Sequence, residues 1–160
     1  MKKLYLYLFT VVLTLFFSCN KIKTSKPLND LASVPSALNP DKLGLEVVTI
    51  YYDKKSRTIS TLYGNRLAFL SASDTIDSHK AGEIYMMVTW QAIDNQQWFG
   101  AKIPGKPQEI EIVKVVVSEE GNKYIKYTKF AGETLALLPD IKDQKQRSDY
   151  ILSRRASILP

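Results

Sequence analysis

The chain is poor in the residues that bind metals and covalent haem. Its 160 residues include a single cysteine and a single histidine. One cysteine excludes a disulfide within the chain, a multi-thiolate zinc site, an iron–sulfur cluster and a Cys-x-x-Cys-His motif. One histidine, His79, excludes multi-histidine metal centres and weakens any Ser-His-Asp arrangement. We therefore expect no metal site, and the sequence offers no catalytic residue.

Long apolar runs are also scarce, and the one at the N-terminus ends at the only cysteine. Positive residues 1–3 precede a 14-residue apolar run, 4–17, which Ser18 and Cys19 close. A membrane-spanning helix needs about 20 apolar residues, whereas a signal-peptide core needs only about 7–15. Residues 1–18 are therefore interpreted as a signal peptide. An ordinary secretory signal with a nearby cysteine is the alternative to a lipoprotein signal.

The residues around the cysteine favour a lipoprotein. Leu15-Phe16-Phe17-Ser18-Cys19 resembles a bacterial lipobox, with Phe16 in place of the usual aliphatic residue. This resemblance implies export and a lipid on Cys19. Asn20 is not the aspartate that commonly retains lipoproteins at the inner membrane. The predicted localisation is the cell envelope, with the lipid in the outer membrane and the domain facing the periplasm.

Composition and charge divide the mature chain into a tether and one domain. Residues 19–44 carry Pro27, Pro35 and Pro40 among polar residues, which predicts a flexible lipid-anchored tether. Residues 45–160 are long enough for a single domain. The net charge of +6 comes without a basic stripe that interleaves with aromatic residues, so nucleic acid is not an expected partner. The expected partners are the membrane, through Cys19, and a small ligand or another envelope protein.

The domain sequence predicts an α+β fold. Runs rich in β-branched and aromatic residues predict strands at 45–52, 57–63, 83–91, 109–118 and 123–130. Asn65 is suited to cap a short helix that reaches Ala72, and Asp140 to cap a C-terminal helix that ends near Ser157. Residues 103–107, with two prolines, predict a turn that no central strand crosses. We expect an antiparallel sheet of about five strands with a short helix and a C-terminal helix packed against it.

Three blocks of sequence carry a family resemblance. They are Ser60-Thr61-Leu62-Tyr63-Gly64-Asn65 with Leu67-Ala68, then Val88-Thr89-Trp90, then Trp98-Phe99-Gly100-Ala101-Lys102-Ile103-Pro104-Gly105. In this order they are similar to exported proteins of the cytochrome P-460 family, over residues 45–130. The resemblance implies a mostly antiparallel sheet flanked by helices.

The family's haem chemistry does not transfer to this chain. Its haem-bearing members attach haem through Cys-x-x-Cys-His near the C-terminus, cross-link it to a lysine, and oxidise hydroxylamine or detoxify nitrogen oxides. Residues 153–160 contain neither cysteine nor histidine, so no cofactor is expected. A non-enzymatic binding or sensing module is favoured. The alternative is a redox enzyme acting on small nitrogen compounds with non-covalent haem, for which the axial candidates are His79, a tyrosine, Met86 or Met87, the two methionines facing opposite ways.

Four aromatic residues are the candidates for a ligand pocket. They are Tyr63, Trp90, Trp98 and Phe99, and packing in the core is the alternative role. Glu109 and Glu111 share one strand face, where they could bind a cation or do acid–base chemistry, although a water-facing surface is the simpler expectation. His79 lies in a polar loop, where we expect it to be solvated.

Overall fold

The computed structural model describes residues 29–74 and 78–157. Within them, six antiparallel strands lie side by side in chain order. The strands are β1 (Glu46–Asp53), β2 (Thr58–Gly64), β3 (Ile84–Asp94), β4 (Lys102–Val117), β5 (Lys123–Ala131) and β6 (Ala136–Leu137), and the helices are α1 (Arg66–Ser73) and α2 (Gln144–Leu152). The predicted α+β fold is confirmed, with a sixth strand of two residues. The predicted signal peptide and Cys19 lie outside the described residues.

One side of the sheet, the helix-covered face, packs against α1 and α2. Its core contains Leu62, Tyr85 and Met87 from the central strands. Ala68 and Ala72 bring α1 onto this core, and Ile151 and Leu152 bring α2. Alternate strand residues project to the same side of a sheet. On this side those residues are apolar where the helices lie.

The other side of the sheet, the turn-covered face, packs against residues 30–43. This segment forms three short 3-10 turns, Asp30–Ala32, Ser36–Leu38 and Asp41–Leu43. Its Ala32, Val34 and Leu38 pack against a second core of Leu45, Met86, Val88, Trp90, Ile110 and Leu135. The tether prediction for residues 19–44 is therefore wrong from residue 29 onward, because this part of the segment closes one face of the domain.

Strand β4 runs through the predicted turn at 103–107. Pro104 pairs with Ala92 and Pro107 with Trp90, and the register shifts on both sides of Trp90. Strand β5 pairs with β4 only from Glu109 onward. The prolines therefore lie where β4 has no β5 partner, so a missing N–H group costs no bond to β5.

The two helices differ in how well their ends were predicted. The Asn65 side chain accepts a hydrogen bond from the backbone N–H of Ala68 at 3.0 Å, which confirms the predicted cap. The C-terminal helix is shorter than the predicted 141–157, and Asp143 rather than Asp140 precedes it. No helix in the described parts of the chain is long and apolar enough to cross a membrane.

Candidate functional site

The four predicted pocket aromatics do not meet in one pocket. Tyr63 and Trp90 belong to the core of the turn-covered face, where the Trp90 Nε1–H group donates to the carbonyl of Ala32 at 2.8 Å. Trp98 and Phe99 lie in the loop between β3 and β4, with 70% and 109% of their surface exposed. The expected aromatic pocket is corrected accordingly. Tyr63 and Trp90 are in the core because alternation along β2 and β3 turns their side chains toward the turn-covered face. Trp98 and Phe99 are exposed because they lie in the hairpin loop.

A polar row crosses the helix-covered face beyond the helices. Antiparallel register places Tyr51 beside Ser60, Ser60 beside Thr89, and Thr89 beside Glu109. Ser60 and Thr89 are only 5% and 8% exposed, and their hydroxyl oxygens are 3.0 Å apart. The next row toward the helices holds Leu62 and Met87, so the change from apolar to polar is abrupt.

Helix α2 lies along one side of the polar row. A groove of about 370 Å3 separates the helix from the row, and this volume is within the usual range of small-ligand sites, about 300–1,000 Å3. Arg147 and Tyr150 contribute the helix side. The groove, here called the polar groove, is lined by Tyr51, Asp53, Ser56, Thr58, Ser60, Thr89, Gln108, Glu109, Arg147 and Tyr150.

Arg147 is fixed by a buried carboxylate beneath the groove. Its Nε and a terminal nitrogen donate to the two carboxylate oxygens of Glu111 at 2.8 and 2.5 Å. Glu111 is fully buried and also accepts from the Tyr127 hydroxyl. Burial raises the pKa of Glu111, but the bonds from Arg147 and Tyr127 outweigh it and hold that pKa below its usual value. The expectation of a water-facing Glu111 is thus wrong.

The charges around the polar groove are largely compensated. Glu109 lies 2.5 Å from the Lys129 ammonium, and Glu111 neutralises Arg147. The Tyr51 hydroxyl donates to the Met87 sulfur at 3.0 Å. Burial, together with the neighbouring Tyr150 hydroxyl, raises the pKa of Tyr51, so this phenol is neutral at physiological pH. The groove consequently presents neutral hydroxyl and phenol groups, the paired charges of Glu109 and Arg147, and the Asp53 carboxylate, which accepts from the backbone N–H groups of Lys55 and Ser56.

A second buried carboxylate holds the loop histidine. Glu83 is fully buried, and the His79 Nδ1 atom lies 2.8 Å from one of its oxygens. The Ser71 hydroxyl and the Lys80 backbone N–H donate to the other oxygen. Burial raises the pKa of Glu83, but these partners outweigh it and lower that pKa overall. The expectation of a solvated His79 is corrected, because a buried carboxylate binds one side of the ring.

The remaining candidates are placed as follows. Met86 and Met87 are buried in the cores of opposite faces, which confirms their predicted orientations. Glu109 and Glu111 share a face, as predicted, because they pair with Thr89 and Met87. In residues 29–74 and 78–157, no three His, Cys, Asp or Glu side chains are grouped so that they could hold a metal ion.

Sequence reasoning missed most of the polar groove. The signal was present in part, since Glu111 lies between Ile110 and Ile112 and shares its strand face with Val113, which is buried. Arg147, its partner, lies 36 residues further along the chain. No local pattern links residues at such a separation.

Comparison with known proteins adds no relative. No protein-family model matches this chain, and no curated protein matches its sequence. The resemblance of its three sequence blocks to the cytochrome P-460 family stays a prediction.

Proposed function

We propose that this chain is an exported lipoprotein of the cell envelope whose domain binds a small, uncharged polar ligand in the polar groove. The proposal includes a lipid on Cys19, a domain on the periplasmic side of the outer membrane, and a cytochrome P-460-like fold without covalent haem. It assigns binding or sensing rather than catalysis to the domain.

The buried hydroxyl pair of the polar row is the observation that supports ligand binding most. A hydroxyl group can donate one hydrogen bond and accept two. The bond between Ser60 and Thr89 therefore leaves acceptor sites on both oxygens. The two hydroxyl groups bond each other and line the polar groove, so the acceptor sites that remain on their oxygens are available to a donor group of a ligand.

The polar groove also indicates a class of ligand. Tyr51 and Tyr150 supply aromatic rings, and the Arg147 guanidinium lies 4.9 Å from the centre of the Tyr150 ring. Because Glu109 and Arg147 are ion-paired and the Asp53 carboxylate is already bonded to two backbone N–H groups, an ion would gain little from entering. A ring-shaped molecule with several hydroxyl or amide groups, such as a monosaccharide, can bond the hydroxyl row and pack against the phenol rings.

Removal of the two hydroxyl groups tests the groove. We expect glucose or N-acetylglucosamine, at millimolar concentration, to shift amide NMR signals of β2, β3 and α2, because these elements line the groove. The variant Ser60→Ala/Thr89→Val should abolish these shifts. Thr128→Val is the matched control, since Thr128 pairs with Ile112 outside the groove. Acetate and phosphate should cause no shift. Equal shifts in both variants, or none in the native chain, would contradict the proposal.

The lipid anchor has its own test. Cells fed an alkyne-labelled fatty acid should incorporate it into the native chain, because only Cys19 offers a thiol. Cys19→Ser should lose the label, whereas Ser18→Ala, which keeps a small residue before the cysteine, should retain it. Label that persists in Cys19→Ser would refute lipidation at this position.

The His79–Glu83 pair favours a second candidate function, non-covalent haem binding. A carboxylate on one imidazole nitrogen orients the other toward a metal, and His79 borders a shallow groove of about 380 Å3 with Val115, Tyr124 and Ile125. Covalent attachment does not fit the chain, which has no Cys-x-x-Cys-His. Haemin titration separates the candidates: a stoichiometric Soret band that His79→Ala removes would favour haem over the polar groove.

A further inference from the structure

Two large aromatic side chains project from the end of the β3–β4 hairpin. Trp98 and Phe99, here called the aromatic tip, lie in a loop that the backbone holds in shape. Asn95 N–H donates to the carbonyl of Ala101 at 3.0 Å, and Ala101 N–H donates to that of Trp98 at 3.1 Å. Gly100 has a φ of +78°, a backbone conformation that glycine tolerates best. The loop therefore presents both rings to the outside of the domain as an ordered turn.

Cations lie at the same end of the sheet as the aromatic tip. The β1–β2 turn lies beside the hairpin, because Ala92 N–H donates to the carbonyl of Arg57 at 2.9 Å. This end of the domain carries Lys54, Lys55, Arg57, Lys102 and Lys106, against the carboxylates of Asp30, Asp53, Asp94 and Glu133. Lys102 pairs with Asp94. The remaining positive charges outnumber the negative ones.

The described chain also begins at this end. The Asn29 side chain donates to the carbonyl of Pro104 at 2.7 Å, and Pro104 pairs with Ala92. Cys19 precedes Asn29 by ten residues, and ten residues span at most about 35 Å. A lipid on Cys19 would therefore hold this end of the sheet within about 35 Å of the bilayer.

We propose that the aromatic tip and its neighbouring cations form a membrane-contacting surface that orients the domain on the bilayer. Tryptophan prefers the membrane–water interface, and lysine and arginine close to the surface are attracted to anionic headgroups. In the described parts of the chain, the exposed rings of Trp98 and Phe99, surplus positive charge and the first described residue, Asn29, coincide at this end. The polar groove includes Asp53 and Ser56 of the adjacent turn, so it extends to this end of the domain.

This surface rests on the proposed lipid anchor for its position and does not depend on the groove's ligand. Its test uses the full chain, reconstituted into vesicles of phosphatidylcholine and phosphatidylglycerol brominated in the upper acyl chain. Bromine quenches tryptophan that enters the bilayer, and the chain has two tryptophans. Trp90 is buried and bonded to Ala32, so Trp98 should account for the quenching. Trp98→Phe should lose most of it.

Further variants sharpen the test. Phe99→Ser should reduce the quenching of Trp98, and Lys54→Gln/Lys55→Gln/Arg57→Gln should reduce it only in vesicles that contain phosphatidylglycerol. Ser73→Ala, on the surface of α1, is the matched control and should quench as the native chain does. Equal quenching of the native chain and Trp98→Phe would overturn the proposal. The proposal would also be overturned if iodide in the aqueous phase quenched Trp98 fluorescence in vesicles but not in native envelopes. That result would show that a protein partner covers the aromatic tip. Labelling of Cys19 is read separately, so failure of the anchor and failure of this surface are distinguishable.

Discussion

The two faces of the sheet are closed by different physical means. The helix-covered face combines an apolar core with two buried carboxylates, Glu83 and Glu111, each bound by several donors. The turn-covered face has an almost wholly apolar core, and short turns rather than helices cover it. Hydrogen bonds from Trp90 and Asn29 attach these turns to the strands. Both faces bury apolar surface, and only the helix-covered face adds buried charge pairs to it.

Buried charges and apolar burial have different roles here: the charges shape the site, and apolar burial stabilises the domain. Buried charges contribute little net stability, but removal of one partner is strongly destabilising. They do fix the position of Arg147 at the polar groove. Apolar burial contributes stability roughly in proportion to area and places no chemical group. We therefore expect loss of apolar cover on either face to destabilise the domain, and loss of a charge partner on the helix-covered face to depend on pH and on the substitute.

Removal of the N-terminal turns should cause the largest loss. A chain that begins at Lys42 lacks Ala32, Val34 and Leu38 and exposes part of the core around Trp90. A fully buried Val or Leu contributes about 1.5–3 kcal/mol and these three half-buried side chains contribute less, but the core residues that they cover are exposed as well, so the loss is about 4 kcal/mol, a large part of the stability of a small domain. The midpoint of urea unfolding measures it, with a chain that begins at Pro27 as the control. Equal midpoints would restore the tether interpretation for residues 29–41.

Loss of the arginine on the helix-covered face should come next. Arg147→Met leaves the buried Glu111 charge without its guanidinium partner, which should cost about 3 kcal/mol. Lys145→Met is the matched control on the same helix, because its pair with Asp149 is exposed and contributes less than about 1 kcal/mol. Urea unfolding curves of the two variants give the comparison. A similar cost for both would show that Glu111 finds another partner.

The comparison of the faces also explains how far the sequence alone reaches. Strands, hairpins and the Asn65 cap could be predicted, because each depends on residues close together in the chain. The helix-covered face was partly accessible, since alternation places Glu111 beside Val113 on an inner surface. The turn-covered face was not, because 3-10 turns of three residues have too little periodicity to show which side is buried.

The polar groove was beyond prediction for a different reason. Tyr51, Ser60, Thr89 and Glu109 belong to four strands, and only the register of the whole sheet aligns them. The prolines in β4 concealed part of that register. A strand that is paired on both sides excludes proline, so the residues before Glu109 resemble a turn, and the sequence does not show that β5 pairs with β4 only from Glu109 onward. A site assembled across strands becomes visible only after the sheet is known.

A smaller effect should follow from removing one hydrogen bond on the turn-covered face. Trp90→Phe loses the bond to the Ala32 carbonyl and leaves a gap in the core, which together should cost about 2 kcal/mol. Trp98→Phe, on the exposed hairpin loop, should change the free energy of unfolding by less than about 0.5 kcal/mol. Thermal or urea unfolding measures both. If the two variants lost the same free energy of unfolding, the contact between Trp90 and the N-terminal turns would not contribute to stability.

The smallest effect should be the one that depends on pH. Ser71→Ala removes a donor at 2.5 Å from the buried Glu83 carboxylate and should cost about 1 kcal/mol at pH 7, after the better helix propensity of alanine offsets part of the loss. Because the pKa of Glu83 is lowered in the folded state, its contribution is present above the ordinary carboxyl pKa of about 4.3 and is lost as the pH falls below it. The native chain should therefore approach the variant in stability as the solution is acidified to about pH 3. Ser73→Ala, whose hydroxyl donates to the Phe69 carbonyl instead, should show a difference that does not vary with pH. If the Ser71 difference also stays constant from pH 7 to pH 3, the buried carboxylate is not what the serine stabilises.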